Sequence, residues 1–253
     1  MMDEQYVTEA AALLVEARRS GRRLIGLPPV LQPQTVAVAH AIQDAVTKTL
    51  GEEGGGWKAN APTGGELQRG LIFARLIFAS PARIPASLVP LCGIEAEIAF
   101  RFLRELPPRD AAYEREEVAG VVSPLPAIEV VDSRYRDFNA CTPLERLADH
   151  ALNGAFVAGA ELADWRRLDL ARLRVTLSFD DTVIVDRVGG HPTGDPLATA
   201  LAFVNAMRAG EGVRRGELVT TGSCTGMNFA KAGTHIMARF EGLGEAEVSF
   251  EGG

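Results

Sequence analysis

Cys92-Gly93-Ile94-Glu95-Ala96-Glu97-Ile98-Ala99-Phe100-Arg101-Phe102 is the stretch on which the fold reading turns. Ile94, Ala96, Ile98 and Phe100 alternate with Glu95, Glu97 and Ala99, and this period of two predicts a strand over 92–102. Successive strand side chains point to opposite faces, so one face is apolar and the other carries two carboxylates. Two carboxylates held close repel each other, and one would protonate unless a cation intervenes. Hard cations such as Mg²⁺ and Mn²⁺ take oxygen ligands. The competing reading places Glu95 and Glu97 on the wet side of an amphipathic strand.

A second apolar run lies downstream, Leu125-Pro126-Ala127-Ile128-Glu129-Val130-Val131-Asp132, which predicts a strand over 127–132 entered through Pro124 and Pro126. A lone carboxylate in such a run is costly unless it is paired or coordinated. Glu129 is therefore the third candidate ligand, with a salt bridge to Arg134 as the alternative. Three acids from two core strands would leave metal positions open to water and substrate.

Outward from these strands the texture is mixed. Thr8 is read as the cap of a helix over 9–19 with Gly21 beyond it, and a second helix is expected over 35–50, closed by Gly51. A short strand is expected at 57–59, a loop over 64–70, a strand over 71–78 and a short helix over 114–122. Thr142 and Pro143 form an N-cap and first helical residue. Residues 172–179 and 182–188 read as a hairpin, Asp195-Pro196 as the start of a helix over 197–208, and 218–221, 235–240 and 245–250 as strands. Strands do not alternate regularly with long helices, which argues against a doubly wound parallel sheet. The expectation is α+β: a helical N-terminal part over 1–55 and a β-rich catalytic domain over 56–253.

Composition sets the outer bounds. Hydrophobic residues make up 47% and charged residues 23% of 253 residues, which is ordinary globular usage. A formal net charge of -7 lacks the basic footprint of a nucleic-acid binder. The start, MMDEQYVTEA, has no basic region followed by an apolar run, and no stretch approaches the ~20 apolar residues of a membrane span. The 3 cysteines, Cys92, Cys141 and Cys224, are far apart and fit buried thiols in a cytoplasmic protein.

Taken in order, Glu95-Ala96-Glu97-Ile98-Ala99 and Leu125-Pro126-Ala127-Ile128-Glu129-Val130-Val131-Asp132-Ser133-Arg134 resemble the fumarylacetoacetate hydrolase superfamily. Within it the chain resembles the branch of 2-keto-4-pentenoate hydratases, 2-oxohepta-3-ene-dioate hydratases and 4-oxalocrotonate decarboxylases. Trp57-Lys58 falls where that family has its active-site lysine. Gly216-Glu217-Leu218-Val219-Thr220-Thr221-Gly222-Ser223 resembles its substrate-binding Thr-Gly segment, and Gly242-Leu243-Gly244 its closing hairpin.

The resemblance implies a mixed β-roll with flanking helices, Mg²⁺ or Mn²⁺ on Glu95, Glu97 and Glu129, and Lys58 as a catalytic residue. It also implies a substrate pocket touched by Leu71, Leu125, Thr221 and Gly222, and a homo-oligomer. The implied reaction adds water to a 2-hydroxy-2,4-dienoate to give a 4-hydroxy-2-oxo acid in aromatic-compound catabolism. Decarboxylation of a 2-oxo-3-enedioate, C–C hydrolysis of an acylpyruvate and a non-catalytic partner subunit are the alternatives. Read from the residues alone, Lys58 could equally be a surface lysine behind a glycine loop. His150 reads either as a general base or as a helix-end histidine, and Asp132 as a water-positioning group or a salt-bridge partner of Arg134. The chain departs from the family pattern at Ala59-Asn60-Ala61-Pro62, at Cys92-Gly93 and at Asp149-His150-Ala151-Leu152, where Leu152 stands in place of a pocket serine.

Overall fold

The computed structural model describes residues 4–62 and 65–252. Two helices open it, α1 (Glu4–Ser20) and α2 (Val36–Leu50), followed by strands β1 (Gly54–Asn60), β2 (Gln68–Phe73), β3 (Ile77–Ala79) and β4 (Ala82–Pro85). Then come β5 (Gly93–Phe102), α3 (Arg115–Ala119), β6 (Val122–Val131), α4 (Pro143–Ala148) and β7 (Asn153–Ala158). The hairpin β8 (Arg174–Phe179) and β9 (Thr182–Val188) leads to α5 (Pro196–Met207), and β10 (Leu218–Ser223), β11 (Asn228–Phe229), β12 (His235–Phe240) and β13 (Gly244–Glu251) close the chain.

Local chemistry sets most of these boundaries. Thr35 accepts from the Val38 amide at the head of α2, and Gly51 ends that helix at φ 68°. Thr142 and Glu145 cap each other around Pro143 at the head of α4, and Asp195 accepts from the Leu197 amide ahead of α5.

Five expectations are corrected. Thr8 lies inside α1, its hydroxyl donating to the Glu4 carbonyl one turn back, so it caps nothing. The loop expected over 64–70 becomes strand from Gln68 onward, and its Gly64 end lies outside the described residues. The strand expected over 71–78 breaks at a 3-10 turn (Ala74–Leu76), and the helix expected over 114–122 shrinks to α3, since Val122 already belongs to β6. Pro124 and Pro126 lie within β6 rather than before it. Their carbonyls accept from the Leu162 and Gly159 amides, so their N–H-less nitrogens face the side where β7 has ended. The opposite edge of β6 keeps its ladder with β5.

Among the described residues the larger sheet runs β2-β1-β10-β5-β6-β7-β3, with β11 added on β5, and the smaller runs β4-β13-β12-β8-β9. The apolar face of β5 (Ile94, Ala96, Ile98, Phe100) packs with Ile236, Ala238, Phe240, Ala246, Val248 and Phe250 of the smaller sheet in one core. The larger sheet curls on its other face. Ile72 on β2 and Phe156 on β7, far apart in strand order, share a buried cluster with Ala99, Leu125, Ala127 and Leu218. The result is an α+β fold with a half-barrel sheet, flanked by helices. A further core joins α1 and α2 to Tyr135, Leu147 and Ala148.

Candidate active site

The concave face of the curled sheet is read off the strand register. Glu95 pairs with Glu129, Glu97 with Ala127, and Ala99 with Leu125, while Thr220 pairs with Ala99 and Lys58 with Thr220. Pairing partners share a face, so Leu125, Ala127 and Glu129 climb β6 beside Ala99, Glu97 and Glu95 on β5. The lower levels are the apolar plug and the upper ones are the acids. Glu95, Glu97 and Glu129 each offer an oxygen within 4.8 Å of the others. Glu129 is fully buried and Glu97 nearly so.

Each acid is held differently. Glu129 Oε1 accepts from Asn153 Nδ2 at 3.1 Å and lies 2.7 Å from Lys58 Nζ. Its other oxygen, Oε2, is buried with no hydrogen-bond partner among the described residues. Glu97 Oε2 accepts from the Thr220 hydroxyl and, at 3.1 Å, from the Gly222 amide. Both donors reach one oxygen because β10 bulges against β5 between Thr220 and Ser223. Lys58 Nζ also donates to the Ala151 carbonyl at 2.8 Å.

Charge does not balance among the protein groups. Burial, then Glu129 and Glu95, push the Glu97 carboxyl up to about 8. Burial also raises Glu129, against the pull of Lys58. Burial works to lower the Lys58 ammonium, but Glu129, Glu95 and Glu97 outweigh it and hold the pKa above its ordinary value. With only protein groups around it, Lys58 therefore stays charged. Three acids against one lysine, with a buried oxygen lacking any donor, make a donor set that fits a hard divalent cation.

The trio opens into a cavity of about 410 Å³ lined by Lys58, Glu95, Glu97, Thr220, Gly222 and Ser223 on the sheet side. Pro143, Arg146, Leu147, Ala151, Leu152 and Pro192 face them, with Asn60 and Gln68 at the end of the β1–β2 hairpin. Leu152 supplies the apolar wall expected of a leucine at that position.

Other expected site residues lie elsewhere. His150 is buried behind the cavity wall, 3.1 Å from Thr47 Oγ1 through Nε2 and 3.3 Å from Arg18 Nη2 through Nδ1. Burial and the guanidinium of Arg18 hold it well below the ordinary imidazole range, and its ring does not line the cavity. Asp132 faces a separate hollow with Arg23, 2.7 Å away, and accepts from the Leu91 amide. The Arg134 partner considered for Glu129 instead binds Asp149. Leu71 points to the Trp57 side of the sheet, and Leu125 belongs to the plug beneath the acids. Thr221 turns away, donating to the Ile98 carbonyl at 2.7 Å, and Thr220 takes its place facing the acids.

Sequence reasoning placed Thr220 and Ser223 in the Thr-Gly segment but chose Thr221 and Gly222 from it, and it missed Asn153, Asn60, Gln68 and Arg146. The signal for Thr220 was parity with Ala99, legible only once β10 is known to lie beside β5.

The model of the fumarylacetoacetate (FAA) hydrolase C-terminal region matches residues 74–251, and the chain belongs to that family of enzymes. Within the family it falls in the branch of 2-keto-4-pentenoate hydratases and 4-oxalocrotonate decarboxylases. A 2-keto-4-pentenoate hydratase from Burkholderia vietnamiensis is 30% identical over 263 residues, covering 99% of both chains. A 4-oxalocrotonate decarboxylase from a Pseudomonas species is 30% identical over 140 residues, 54% of this chain and 53% of that one. The solved 4-oxalocrotonate decarboxylase from Pseudomonas putida, complexed with magnesium and adipate, matches with a TM-score of 0.85 at 23% identity over 99% of both chains. That likeness speaks for the fold. No helix among the described residues is long and apolar enough to cross a membrane.

Proposed function

We propose that this enzyme is a metal-dependent hydratase that adds water to a 2-hydroxy-2,4-dienoate, giving a 4-hydroxy-2-oxo acid. The observation that carries this reading is the convergence of Glu95, Glu97 and Glu129, with Lys58 beside them, at the closed end of one cavity. Full-length similarity to 2-keto-4-pentenoate hydratases supports the choice of reaction.

Glu95, Glu97 and Glu129 would hold Mg²⁺ or Mn²⁺, which when bound supplies Lewis-acid polarisation of a 2-oxo group. The protein's own groups do the rest. Asn153 fixes the orientation of Glu129, and Thr220 with the Gly222 amide fixes Glu97. Lys58 stays charged and donates a hydrogen bond toward negative charge developing on the substrate oxygen, or hands a proton to carbon. Ser223 Oγ is buried at the cavity with no hydrogen-bond partner among the described residues, so a hydroxyl is available for the attacking water where Leu152 offers none. Leu147, Leu152 and Pro192 exclude bulk water from the hydrocarbon part of the substrate.

The test is turnover of 2-hydroxypenta-2,4-dienoate and longer homologues by purified protein with Mg²⁺, with products identified by NMR. A 4-hydroxy-2-oxo acid is expected. Release of CO₂ or of two acids would move the enzyme to the decarboxylase or hydrolase reading, and no turnover at any chain length would reject all three.

A further inference from the structure

Where α1 meets the sheet lies a second hollow of about 230 Å³, lined by Arg18, Arg23, Arg75 and Arg134 together with Asp132. It shares no lining residue with the cavity of the acidic trio.

The fold gathers these arginines from distant parts of the chain. Arg18 lies in the last turn of α1, and Gly21, at φ 71°, turns the chain so that Arg23 comes next to the hollow. Arg75 sits on the 3-10 turn Ala74–Leu76, and Arg134 follows β6. Shared partners fix their closeness. Arg18 Nη2, at 3.2 Å, and Arg134 Nε both donate to Asp149 Oδ1. Arg23 Nη2 lies 2.7 Å from Asp132 Oδ1, and Arg134 Nη1 lies 3.8 Å from Oδ2 of the same carboxylate. Arg18 and Arg75 lean on one ring, their Cζ atoms 5.4 and 5.8 Å from the centre of Phe73.

The carboxylates fall short of the cations. Asp132, Asp149 and, on Arg75, Glu52 pair with the four arginines, which leaves one positive charge over. The carbonyl end of α1 adds a negative charge of about half a unit at most. Donors are in excess as well, since Arg18 Nε is buried with no acceptor among the described residues. Burial, then Arg134 and more weakly Arg75, push the Arg18 guanidinium down to about 9 against the pull of Asp149 and Asp132. A negative group in the hollow would relieve that crowding.

The donors also select the kind of anion. Guanidinium forks match phosphate oxygens, and forks arriving from α1, the 3-10 turn and the end of β6 suit a tetrahedral oxyanion better than a planar carboxylate. Ser87 adds an exposed hydroxyl. The hollow is smaller than the roughly 300–1,000 Å³ of pockets for organic ligands, so it admits a small group only.

We propose that this hollow is a phosphate site, separate from the acidic trio, in which Arg18, Arg23, Arg75 and Arg134 hold inorganic phosphate or the phosphate end of a monoester.

Calorimetric titration of metal-free protein with inorganic phosphate, glycerol 3-phosphate and acetate tests it, with potassium chloride at matched ionic strength as the reference. One phosphate is expected per chain, and the urea midpoint should rise with phosphate concentration but not with chloride. Arg75→Gln changes an exposed side chain, so the fold is expected to stay intact while phosphate affinity falls about tenfold or more. Arg23→Gln is expected to weaken phosphate to a similar extent, and Lys58→Gln to bind it as the wild type does. Tighter binding of the ester assigns the site to phosphate monoesters, tighter binding of inorganic phosphate to the free ion, and both support the shared chemistry. Acetate binding as tightly as phosphate overturns the phosphate assignment. The absence of phosphate binding beyond the chloride reference overturns the proposal, as does undiminished affinity in Arg75→Gln. Loss of phosphate binding in Lys58→Gln overturns it too, by placing the anion in the cavity of the trio.

Discussion

At the scale of single residues, the acids and the lysine make opposite demands on a cation, and substitutions separate them. Glu129 has one oxygen shared by Lys58 and Asn153 and another with no donor among the described residues. Glu129→Gln removes a charged ligand, and Mg²⁺ affinity measured by calorimetry is expected to fall more than about a hundredfold with the circular dichroism spectrum unchanged. Lys58→Gln removes a like charge from the cation's surroundings. Mg²⁺ affinity is expected to hold or rise in this variant, while kcat falls about 10²- to 10⁴-fold. Weaker Mg²⁺ binding in Lys58→Gln would show that the lysine organises the trio rather than the chemistry. Thr220→Val takes one of two donors from Glu97, and a loss of about 10- to 100-fold in Mg²⁺ affinity is expected. At this scale the trio was legible in the sequence, because strand parity places Glu95 and Glu97 on one face with no knowledge of the rest of the molecule. Thr220 was not legible. The pairing of Thr220 with Ala99 decides which of two adjacent threonines faces the acids, and a register between distant strands leaves no mark in hydropathy.

At the scale of elements, the turn after α4 is the most strained part of the site. His150, Ala151 and Leu152 all adopt left-handed backbone, with φ of 52°, 51° and 63°. Non-glycine residues reach this region at a cost of roughly 1–2 kcal/mol each, and here the conformation aims the Ala151 carbonyl at Lys58. Room for it comes from β2: a Cβ on Gly70 would lie 2.7 Å from the His150 carbonyl oxygen and 3.0 Å from Ala151 Cβ. Gly70→Ala should therefore push the turn off Lys58. A destabilisation of about 1–3 kcal/mol is expected in urea unfolding, with kcat lowered and Mg²⁺ affinity retained. Full activity at lower stability would mean that the Ala151 contact does not position Lys58. Elements with local signals, such as the caps at Thr35, Thr142 and Asp195, were readable from the chain. The break at Ala74–Leu76 and the entry of Pro124 and Pro126 into β6 were not. The place of the two prolines depends on where β7 stops, which is a property of the sheet.

At the scale of the molecule, the helices are tied to the sheet by a buried polar layer, and this layer sets the acid limit of stability. Arg18 of α1 reaches Asp149 and His150 Nδ1, and Thr47 of α2 reaches His150 Nε2. The Thr47 hydroxyl donates to the Gln43 carbonyl, so it accepts from Nε2–H, and Nδ1 accepts from Arg18: the ring is neutral. Burial and Arg18 keep its folded pKa well below 6.5. His40, whose Nε2 accepts from the Arg69 amide, is pushed down to about 4 by burial and Arg69. A histidine depressed in the fold contributes stability above its unfolded pKa and loses it as pH falls, because the unfolded chain takes up the proton first. Glu97 has the opposite sign, since a carboxyl raised to about 8 stabilises the folded chain at low pH and loses that effect as pH rises. Saturating Mg²⁺ removes the opposing contribution by keeping the trio ionised. Urea midpoints of Mg²⁺-saturated protein are therefore expected to fall between pH 6.5 and 5, with each buried histidine contributing a slope approaching about 1.4 kcal/mol per pH unit. His150→Gln should flatten that slope, since an amide can still donate to Thr47 Oγ1 and accept from Arg18 without a proton to gain. An unchanged slope in the variant would place the acid sensitivity in groups other than the layer that joins α1 and α2 to the sheet.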